Sequence, residues 1–463
     1  MSRTVAARLL RVALDIFFER LEVTGDKRIP SKGAAILTSN HPSSVMDALV
    51  LIATIKRRIH FLAAARLFAD PFRSFLLRAA GAIPVYREAD APSKLRRNVL
   101  AFEECRRLLQ SGRVIGIFPE GTTHSDPQVH ALKRGTARIA LEVESRHNFR
   151  MGLRVFPVGL NYRDPGRFRS RCLVVVGEPI QLSSYRERYH ANRRDAERQL
   201  TDEIKANLQE HTLHVKKLRL AELVKEVEDI YRGELMDRLP PRIAAFREPE
   251  RGLELSKAII RAIEYFDDND PDRVQRLWES IRQYKRCLRW IGLSDEAFEV
   301  SPKHRRSEPI TPSTIAAIVL GFPVALYGLV NNIIPYLVPL SLCCSRNRNP
   351  GQLACVKFFM GCCSFMIFYA LQGTLCALIF GPWAFLAYVF TLPLSGLFTM
   401  RYFRRLRAVG AHLRLASVLL RSKTVVFRLA RIRERLIEEL DAAKADYMEF
   451  LAKGGQAAAK SER

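Results

Sequence analysis

A histidine and an aspartate lie six positions apart in the segment NHPSSVMD, residues 40–47. An imidazole with a pKa near 6.5 suits general-base work at neutral pH, and a carboxylate can hold its ring in one tautomer and stabilise the imidazolium. A lone histidine near an aspartate is more often a hydrogen-bonded loop residue than a catalytic one. His41 and Asp47 are therefore candidate base and orienting acid only if neighbouring segments supply a substrate site.

An arginine ends an apolar strand pattern in the second segment, GAIPVYR at residues 81–87. The planar guanidinium of Arg87 can bind a phosphate through two parallel N–H donors. A surface arginine at a strand end gives the same pattern. The segment therefore predicts a phosphate contact only together with the others.

A loop rich in small polar residues follows the next apolar strand, in FPEGTTHS at residues 118–125. Backbone N–H groups and hydroxyls at Gly121 and Thr122 can bind an anion, whereas Glu120 is better suited to accept a hydrogen bond from a substrate hydroxyl or to pair with a cation. Lys133 opens the next predicted helix, where an amine and the helix N-terminus both favour phosphate. The apolar strand VFPVG, residues 155–159, contains Pro157 and is of the kind that lines an acyl site.

Strand and helix patterns alternate around these segments and predict an α/β fold, a mixed sheet flanked by helices. Strands are expected at 34–38, 59–63, 82–86, 114–118, 153–160 and 172–176, and helices at 45–55, 93–109 and 133–143. In such folds the catalytic and binding residues commonly lie in the loops that leave the strand ends. The candidate residues lie in these loops.

The four segments, in this order, resemble the glycerolipid acyltransferases, which act on glycerol-3-phosphate or 1-acylglycerol-3-phosphate. The resemblance covers about residues 30–180, and the FPEGT segment is its most specific part. It implies that His41 is the general base and that Asp47 orients it. It further implies that Arg87 binds the acceptor phosphate with help from Lys133.

The resemblance also implies roles for the remaining candidates, and it implies direct transfer without a metal or a cofactor. Glu120, Gly121 and Thr122 would shape the acceptor site, and Pro157 would belong to the wall on the acyl side. In one respect the chain departs from the usual pattern, because five residues rather than four separate His41 from Asp47. It resembles larger members of the family with C-terminal membrane segments.

That spacing has a structural consequence. Six steps along a helix turn through about 600°, which leaves the two side chains about 240° apart. His41 must then precede the helix that carries Asp47, and Ser43 or Ser44 is the expected N-cap.

Two long uncharged stretches, residues 309–345 and 358–400, predict a membrane domain. A span needs about 20 apolar residues, so each stretch has room for a hairpin, turning near Asn331–Asn332 and Gly381–Pro382. The domain plan is an amphipathic N-terminal helix (1–20), an acyltransferase domain (21–215), a helical region (216–308), a membrane domain of two hairpins (309–402), and a basic amphipathic helix with a tail (403–463). The amphipathic N-terminal helix is expected either to rest on a membrane or to dock on the protein.

The net charge of +26 indicates an anionic partner. Basic residues flank the uncharged stretches, which favours anionic membrane lipids over nucleic acid and places the catalytic domain on the cytoplasmic side of a multi-pass protein. Nine cysteines without metal-ligand spacing agree with a reducing compartment.

The predicted activity is O-acyl transfer from acyl-CoA or acyl carrier protein to glycerol-3-phosphate or dihydroxyacetone phosphate. A 1-acylglycerol-3-phosphate acceptor is the first alternative, and a non-catalytic basic membrane scaffold is a distant one. A hydrolase is disfavoured because the sequence contains no Gly-x-Ser-x-Gly elbow.

Overall fold

A computed structural model describes residues 3–86, 98–238, 241–293, 295, 311–342 and 350–461. The chain forms two compact units, Met1–His214 with Cys343–Phe359, and Val215–Leu342 with Met360–Arg463. The strands of the first unit are β1 (Arg20–Thr24), β2 (Ala35–Ser39), β3 (Ile59–Ala64), β4 (Ile83–Val85), β5 (Val114–Ile117), β6 (Arg154–Tyr162), β7 (Arg171–Val176) and β8 (Ile180–Gln181). Its helices are α1 (Arg3–Phe17), α2 (Val45–Thr54), α3 (Pro71–Ala80), α4 (Asn98–Gln110), α5 (Gly135–Ser145), α6 (Arg186–Ala191) and α7 (Arg193–His211).

The eight strands form one mixed sheet in the order β1-β7-β6-β2-β5-β3-β4, with β8 paired to β6. Neighbours are parallel except for β6 with β7 and β6 with β8, which are antiparallel. The predicted α/β class is confirmed, and every strand and helix expected between residues 33 and 180 is present. The part of the helix expected at 93–109 that precedes Asn98 lies outside the described residues. The apolar pattern missed β1 and α3, because charged residues interrupt both.

The centre of the sheet is β2, whose five residues are all buried. Side chains of α4, α5 and α7 pack on one face of the sheet with Ile36, Ile115 and Val155. A strand covered on both faces must be apolar throughout, as AILTS nearly is. The loops after β2 and β5 therefore start from a rigid scaffold at the same edge.

Helix α1 corresponds to the predicted N-terminal amphipathic helix. Its last residues dock on the protein, since Leu14 and Phe17 are buried, whereas Leu9 and Val12 nearer its start are exposed. The docking alternative thus describes the end of α1, whereas a membrane contact at its beginning stays a prediction.

The second unit is helical. Its helices are α8 (Ala221–Asp237), α9 (Pro241–Ala244), α10 (Glu248–Asn269), α11 (Pro271–Ile291), α12 (Pro312–Leu342), the part of α13 (Pro350–Phe380) from Met360 onward, α14 (Pro382–Arg421) and α15 (Lys423–Ser461). Arg433 of α15 is buried and donates to Glu234 of α8 and to Asp295. A buried charge needs such partners, so these ion pairs specify how α15 packs on the other charged helices.

Among the described residues, three helices are long and apolar enough to cross a membrane: Pro312–Leu342, Pro350–Phe380 and Pro382–Arg407. The break expected near Gly381–Pro382 is present, but the hairpin turn expected at Asn331–Asn332 is wrong, because α12 is continuous. Both asparagines are accommodated within the helix. Their side-chain amides donate to the carbonyls of Tyr327 and Gly328 in the same helix.

The same two asparagines connect the three apolar helices of this unit. Asn332 is buried and its side-chain oxygen accepts from the Tyr369 hydroxyl of α13, while Asn331 accepts from the Tyr388 hydroxyl of α14. Polar groups in an apolar setting are stable when they are paired in this way. We call these four residues the asparagine seam.

The basic segment expected as one helix is divided. Helix α14 ends at Arg421 and α15 begins at Lys423, with Ser422 between them in an extended conformation. The predicted tail is helical as far as Ser461, since its alanines and lysines are good helix formers.

Candidate active site

His41 and Asp47 form a close pair. His41 Nδ1 lies 2.8 Å from Asp47 Oδ2, and the Asp47 side chain is completely buried whereas that of His41 is 18% exposed. A carboxylate only accepts hydrogen bonds, so Nδ1 carries the proton and Nε2 is the nitrogen left to act as a base. This is the geometry that the sequence predicted for a general base and its orienting acid.

The five-residue spacing is accommodated by a tight turn before α2. Ser44 has φ 56° and ψ −132°, close to the first central position of a type II′ turn, and the Met46 N–H donates to the Ser43 carbonyl to close it. His41 thereby precedes the helix and can face Asp47 in its first turn. Ser44 is the N-cap as expected, but its side chain makes no capping hydrogen bond.

Asp47 accepts two further hydrogen bonds. The backbone N–H of Ser43 donates to Oδ2 at 2.8 Å, and the Tyr162 hydroxyl donates to Oδ1 at 2.8 Å. Burial, followed by the charge of Asp47, raises the pKa of Tyr162 well above its ordinary value, so the phenol remains a donor. Three hydrogen-bond partners hold the buried carboxylate in one orientation.

Tyr162 is not among the residues that the sequence predicts for the site. The available signal was its position at the end of β6, a strand next to β2 in the sheet and parallel to it. Parallel neighbours end at the same edge, so Tyr162 and the residues that follow β2 come together.

Phe118 supports the His41 ring from the loop after β5. The two rings stack with centroids 4.1 Å apart and an angle of 17°, and Phe61 of β3 stacks on Phe118 in turn. The flat apolar surface fixes the plane of the imidazole while Asp47 fixes its rotation. Nε2 consequently points in one defined direction.

Glu120 is only 5% exposed. Burial, opposed mainly by the nearby His130 and His41, raises the pKa of Glu120 to about 7, and a backbone hydrogen bond with His41 lies among the opposing influences. A carboxyl group with this pKa is protonated for part of the time at neutral pH and can then donate a hydrogen bond. A protonated Glu120 is therefore compatible with an anion in this loop, which the sequence predicts at Gly121 and Thr122.

Lys133 lies over Gly121. Gly121 has φ 72°, and a Cβ placed there would lie 3.3 Å from the Lys133 amine and 3.1 Å from its Cε. The Lys133 N–H donates to the Pro119 carbonyl, which closes the loop, and the Thr122 hydroxyl lies 2.8 Å from His124 Nε2. The predicted acceptor residues Glu120, Gly121, Thr122 and Lys133 thus share one loop beside His41.

The same loop contains the group of side chains that a metal could bind. Within the described part of the chain, the donor atoms of His124, Asp126 and His130 lie within 4.8 Å of one another. The two imidazoles stack at 3.8 Å between centroids, and His130 Nε2 lies 2.8 Å from Asp126. A ring nitrogen binds a metal in the plane of its own ring. Because the two stacked rings lie in nearly parallel planes, one ion cannot lie in both planes unless a ring turns.

Pro157 and Arg87 are the two remaining predicted site residues. Pro157 is buried in β6, at the point where its partner changes from β7 to β8, so its missing N–H breaks no ladder bond. An acyl-side role for Pro157 stays a prediction. Arg87 lies outside the described residues, directly after the segment containing β4.

Comparison with known sequences agrees with this geometry. Residues 20–161 match the sequence model of the Acyltransferase family. This segment is an acyltransferase domain. It contains β1 to β5, all of β6 except its last residue Tyr162, the His41–Asp47 pair and the Glu120 loop. The acyltransferase domain covers less than half of the chain.

Relatives of the acyltransferase domain and its surroundings include three acyltransferases. An uncharacterized acyltransferase of Schizosaccharomyces pombe is 26% identical over 62% of this chain and 54% of its own length. Glycerol-3-phosphate O-acyltransferase 1 of Saccharomyces cerevisiae is 29% identical over 41% of this chain and 24% of its own length. A 1-acyl-sn-glycerol-3-phosphate acyltransferase of Borreliella burgdorferi is 31% identical over 29% of this chain and 51% of its own length. The chain spans about half, or less, of the length of these relatives.

Among solved structures, the chain is similar to the 1-acyl-sn-glycerophosphate acyltransferase PlsC from Thermotoga maritima. The sequences are 21% identical, the match covers 43% of this chain and 81% of the other, and the TM-score is 0.30.

Proposed function

We propose that this protein is a membrane-bound O-acyltransferase that moves a fatty acyl group from an acyl thioester to a hydroxyl of a glycerol phosphate. The observation that carries the proposal is the 2.8 Å contact between His41 Nδ1 and the buried Asp47 carboxylate, inside an acyltransferase domain. The donor would be acyl-CoA or acyl carrier protein.

The proposed reaction follows from the tautomer of His41, in which Nε2 carries no proton. Nε2 takes the proton of the acceptor hydroxyl as its oxygen attacks the thioester carbonyl, and Asp47 stabilises the imidazolium. When the tetrahedral intermediate collapses, the C–S bond breaks and the proton passes to the departing thiolate, giving an ester and a free thiol. A positioned base of this kind contributes about 10²–10⁴-fold to the rate.

The acceptor phosphate would bind to Arg87 with help from Lys133. The support is the Lys133 amine over Gly121, in the loop that also contains Glu120 and Thr122. A protonated Glu120 would donate to a phosphate oxygen, and an ionised one would accept from a substrate hydroxyl. The apolar strand with Pro157 would line the acyl side.

Two acceptors follow from the names of the relatives, one of which acts on glycerol-3-phosphate and one on 1-acyl-sn-glycerol-3-phosphate. We favour glycerol-3-phosphate or dihydroxyacetone phosphate because of the five-residue spacing and the C-terminal apolar helices, with 1-acylglycerol-3-phosphate as the alternative.

The deciding experiment measures thiol release from acyl-CoA by the purified protein with each of the three acceptors. The His41→Ala variant should lose about 10²–10⁴-fold in kcat. If that variant kept full activity, the base assignment would be wrong. If the wild type released no thiol with any of the three acceptors, a scaffold that binds anionic lipid would become the better interpretation.

Arg87→Ala tests the phosphate contact. This change should raise the KM of the acceptor at least about tenfold, since it removes a charge-assisted contact, and leave the KM of acyl-CoA nearly unchanged. Arg106→Ala, which removes an arginine paired with Glu103 on α4, is the matched control. An equal rise in both KM values would contradict a specific acceptor contact.

We further propose that the protein is multi-pass, with the acyltransferase domain on the cytoplasmic side. The basic residues near 401–405 support this by the positive-inside rule, since the helices Pro350–Phe380 and Pro382–Arg407 together bring the chain back to the side on which the first of them begins. Labelling a single cysteine introduced in this segment in sealed vesicles tests it. Labelling from the lumenal or external side only would refute the cytoplasmic orientation.

A further inference from the structure

The first turns of α13 belong to the unit that contains the active site. Ala354, Cys355 and Phe358 are buried, and the Phe358 ring packs against Phe17 of α1 with centroids 5.5 Å apart. The Lys357 amine lies 3.3 Å from the Gly166 carbonyl. An apolar helix that only anchored the chain would not need these contacts.

Gly351, in the first turn of α13, touches the loop that carries His41. Its carbonyl accepts from the Ser43 hydroxyl at 3.2 Å, and its N–H donates to the Ser125 hydroxyl at 3.1 Å. Ser125 in turn donates to the Pro42 carbonyl at 3.0 Å. A ring of hydrogen bonds therefore joins α13, the loop after β2 and the loop after β5.

No side chain fits at position 351. A Cβ there would lie 2.3 Å from the Pro42 carbonyl oxygen and 2.6 Å from the Ser43 Cα, and both neighbours are backbone. The close approach also satisfies the Gly351 N–H, which is one of the N–H groups that a helix leaves without a partner in its first turn.

The loop that Gly351 touches needs external support. Ser44 has a positive φ, which is unfavourable for a residue other than glycine, and such a conformation persists only where its surroundings impose it. Ser43, the preceding residue, holds both the Asp47 carboxylate through its N–H and Gly351 through its hydroxyl. The turn that brings His41 to Asp47 is thus secured from α13.

We propose that Gly351 is a positioning residue for catalysis, and that the first turn of α13 holds the His41–Asp47 loop in its reactive geometry. This inference rests on the proposed function. It means that residues 20–161 hold the reacting groups but lack one of the supports that aligns them.

Gly351→Ala tests the proposal in the full-length protein. The added methyl displaces α13 or the loop by about 1 Å, and a misplacement of this size can cost about 10²-fold in rate, so kcat should fall by about that factor. The KM values for acyl-CoA and acceptor should change less than about threefold. Gly361→Ala is the matched control, because a Cβ at that position of α13 meets nothing closer than Pro339 at 4.0 Å, and it should keep wild-type kcat.

A second pair of variants decides the question if Gly351→Ala does not accumulate. Ser125→Ala removes the bridge without a clash and should lower kcat about tenfold, whereas Ser125→Thr keeps the hydroxyl and should restore most of it. Thermal unfolding of each variant separates loss of fold from loss of geometry.

The outcomes are distinct. Equal kcat values for the Gly351→Ala and Gly361→Ala variants, or for the Ser125→Ala variant and the wild type, would overturn the positioning role. A higher KM with unchanged kcat would overturn it too, since Gly351 would then act on substrate binding. A wild-type protein inactive toward all three acceptors would instead refute the proposed function.

Discussion

Replacing Glu120 by glutamine should stabilise the protein at pH 8 and have much less effect near pH 5. Burial raises the pKa of Glu120 from 4.5 to about 7 in the folded protein. Below about pH 4.5 the carboxyl group is protonated in both the folded and the unfolded chain. As the pH rises from 4.5 to 7 only the unfolded chain releases its proton, so the folded state loses stability, and above 7 the full loss is present.

The size of the effect follows from the two pKa values. At about 1.4 kcal/mol for each pH unit between them, the buried carboxylate costs about 3 kcal/mol above pH 7. Glutamine has no charge to bury, and its carbonyl can still accept the backbone hydrogen bond from His41. For a unit of this size, 3 kcal/mol corresponds to about 6–12 °C in melting temperature.

The assay is thermal unfolding of the detergent-solubilised wild type and the Glu120→Gln variant at half-unit steps from pH 5 to pH 8. The quantity of interest is the difference between the two melting temperatures, which should grow with pH. Glu178→Gln, at a side chain that is 74% exposed, is the matched control and should shift the melting temperature little at any pH. A difference between wild type and Glu120→Gln that is the same at pH 5 and pH 8 would show that Glu120 does not titrate in this range.

Changes at three other residues test the active site. Asp47→Asn should lower kcat at least about 100-fold in the thiol-release assay, because it removes the charge that stabilises the imidazolium; a smaller loss would argue against His41 as the base. Tyr162→Phe leaves a buried carboxylate oxygen without its donor and should lower the free energy of unfolding by about 1–3 kcal/mol together with kcat, whereas Tyr185→Phe, at a tyrosine paired with Glu203, should leave kcat intact. Ser44→Gly should raise the melting temperature by relieving about 1 kcal/mol of backbone strain, and Ser44→Val should lower it; the opposite order would refute the strained turn.

The sequence predicted most reliably those elements whose pattern lies within a single segment. The apolar strands that are followed by Asn40, Tyr86 and Phe118 are recognisable from composition alone, and parallel pairing then brings their loops together. The spacing of His41 and Asp47 also required His41 to precede the helix, which the Ser44 turn confirms.

Contacts between distant segments were not accessible in this way. The partnership of Tyr162 with Asp47 spans more than a hundred residues, and that of Gly351 with Ser43 about three hundred. Nothing local distinguishes a tyrosine at the end of one strand from any other. The wrong hairpin at Asn331 has the same origin, since two adjacent asparagines indicate a turn unless their partners on other helices are known.

Because of the asparagine seam, the apolar helices of this protein are not equivalent to generic hydrophobic helices. Each amide and phenol has to meet one particular partner, which fixes how far every helix is rotated about its own axis and shifted along it. Replacing α12 with an oligoleucine helix of equal length would preserve hydrophobicity but erase that alignment. The arrangement of these helices thus depends on a few specific hydrogen bonds rather than on hydrophobicity alone.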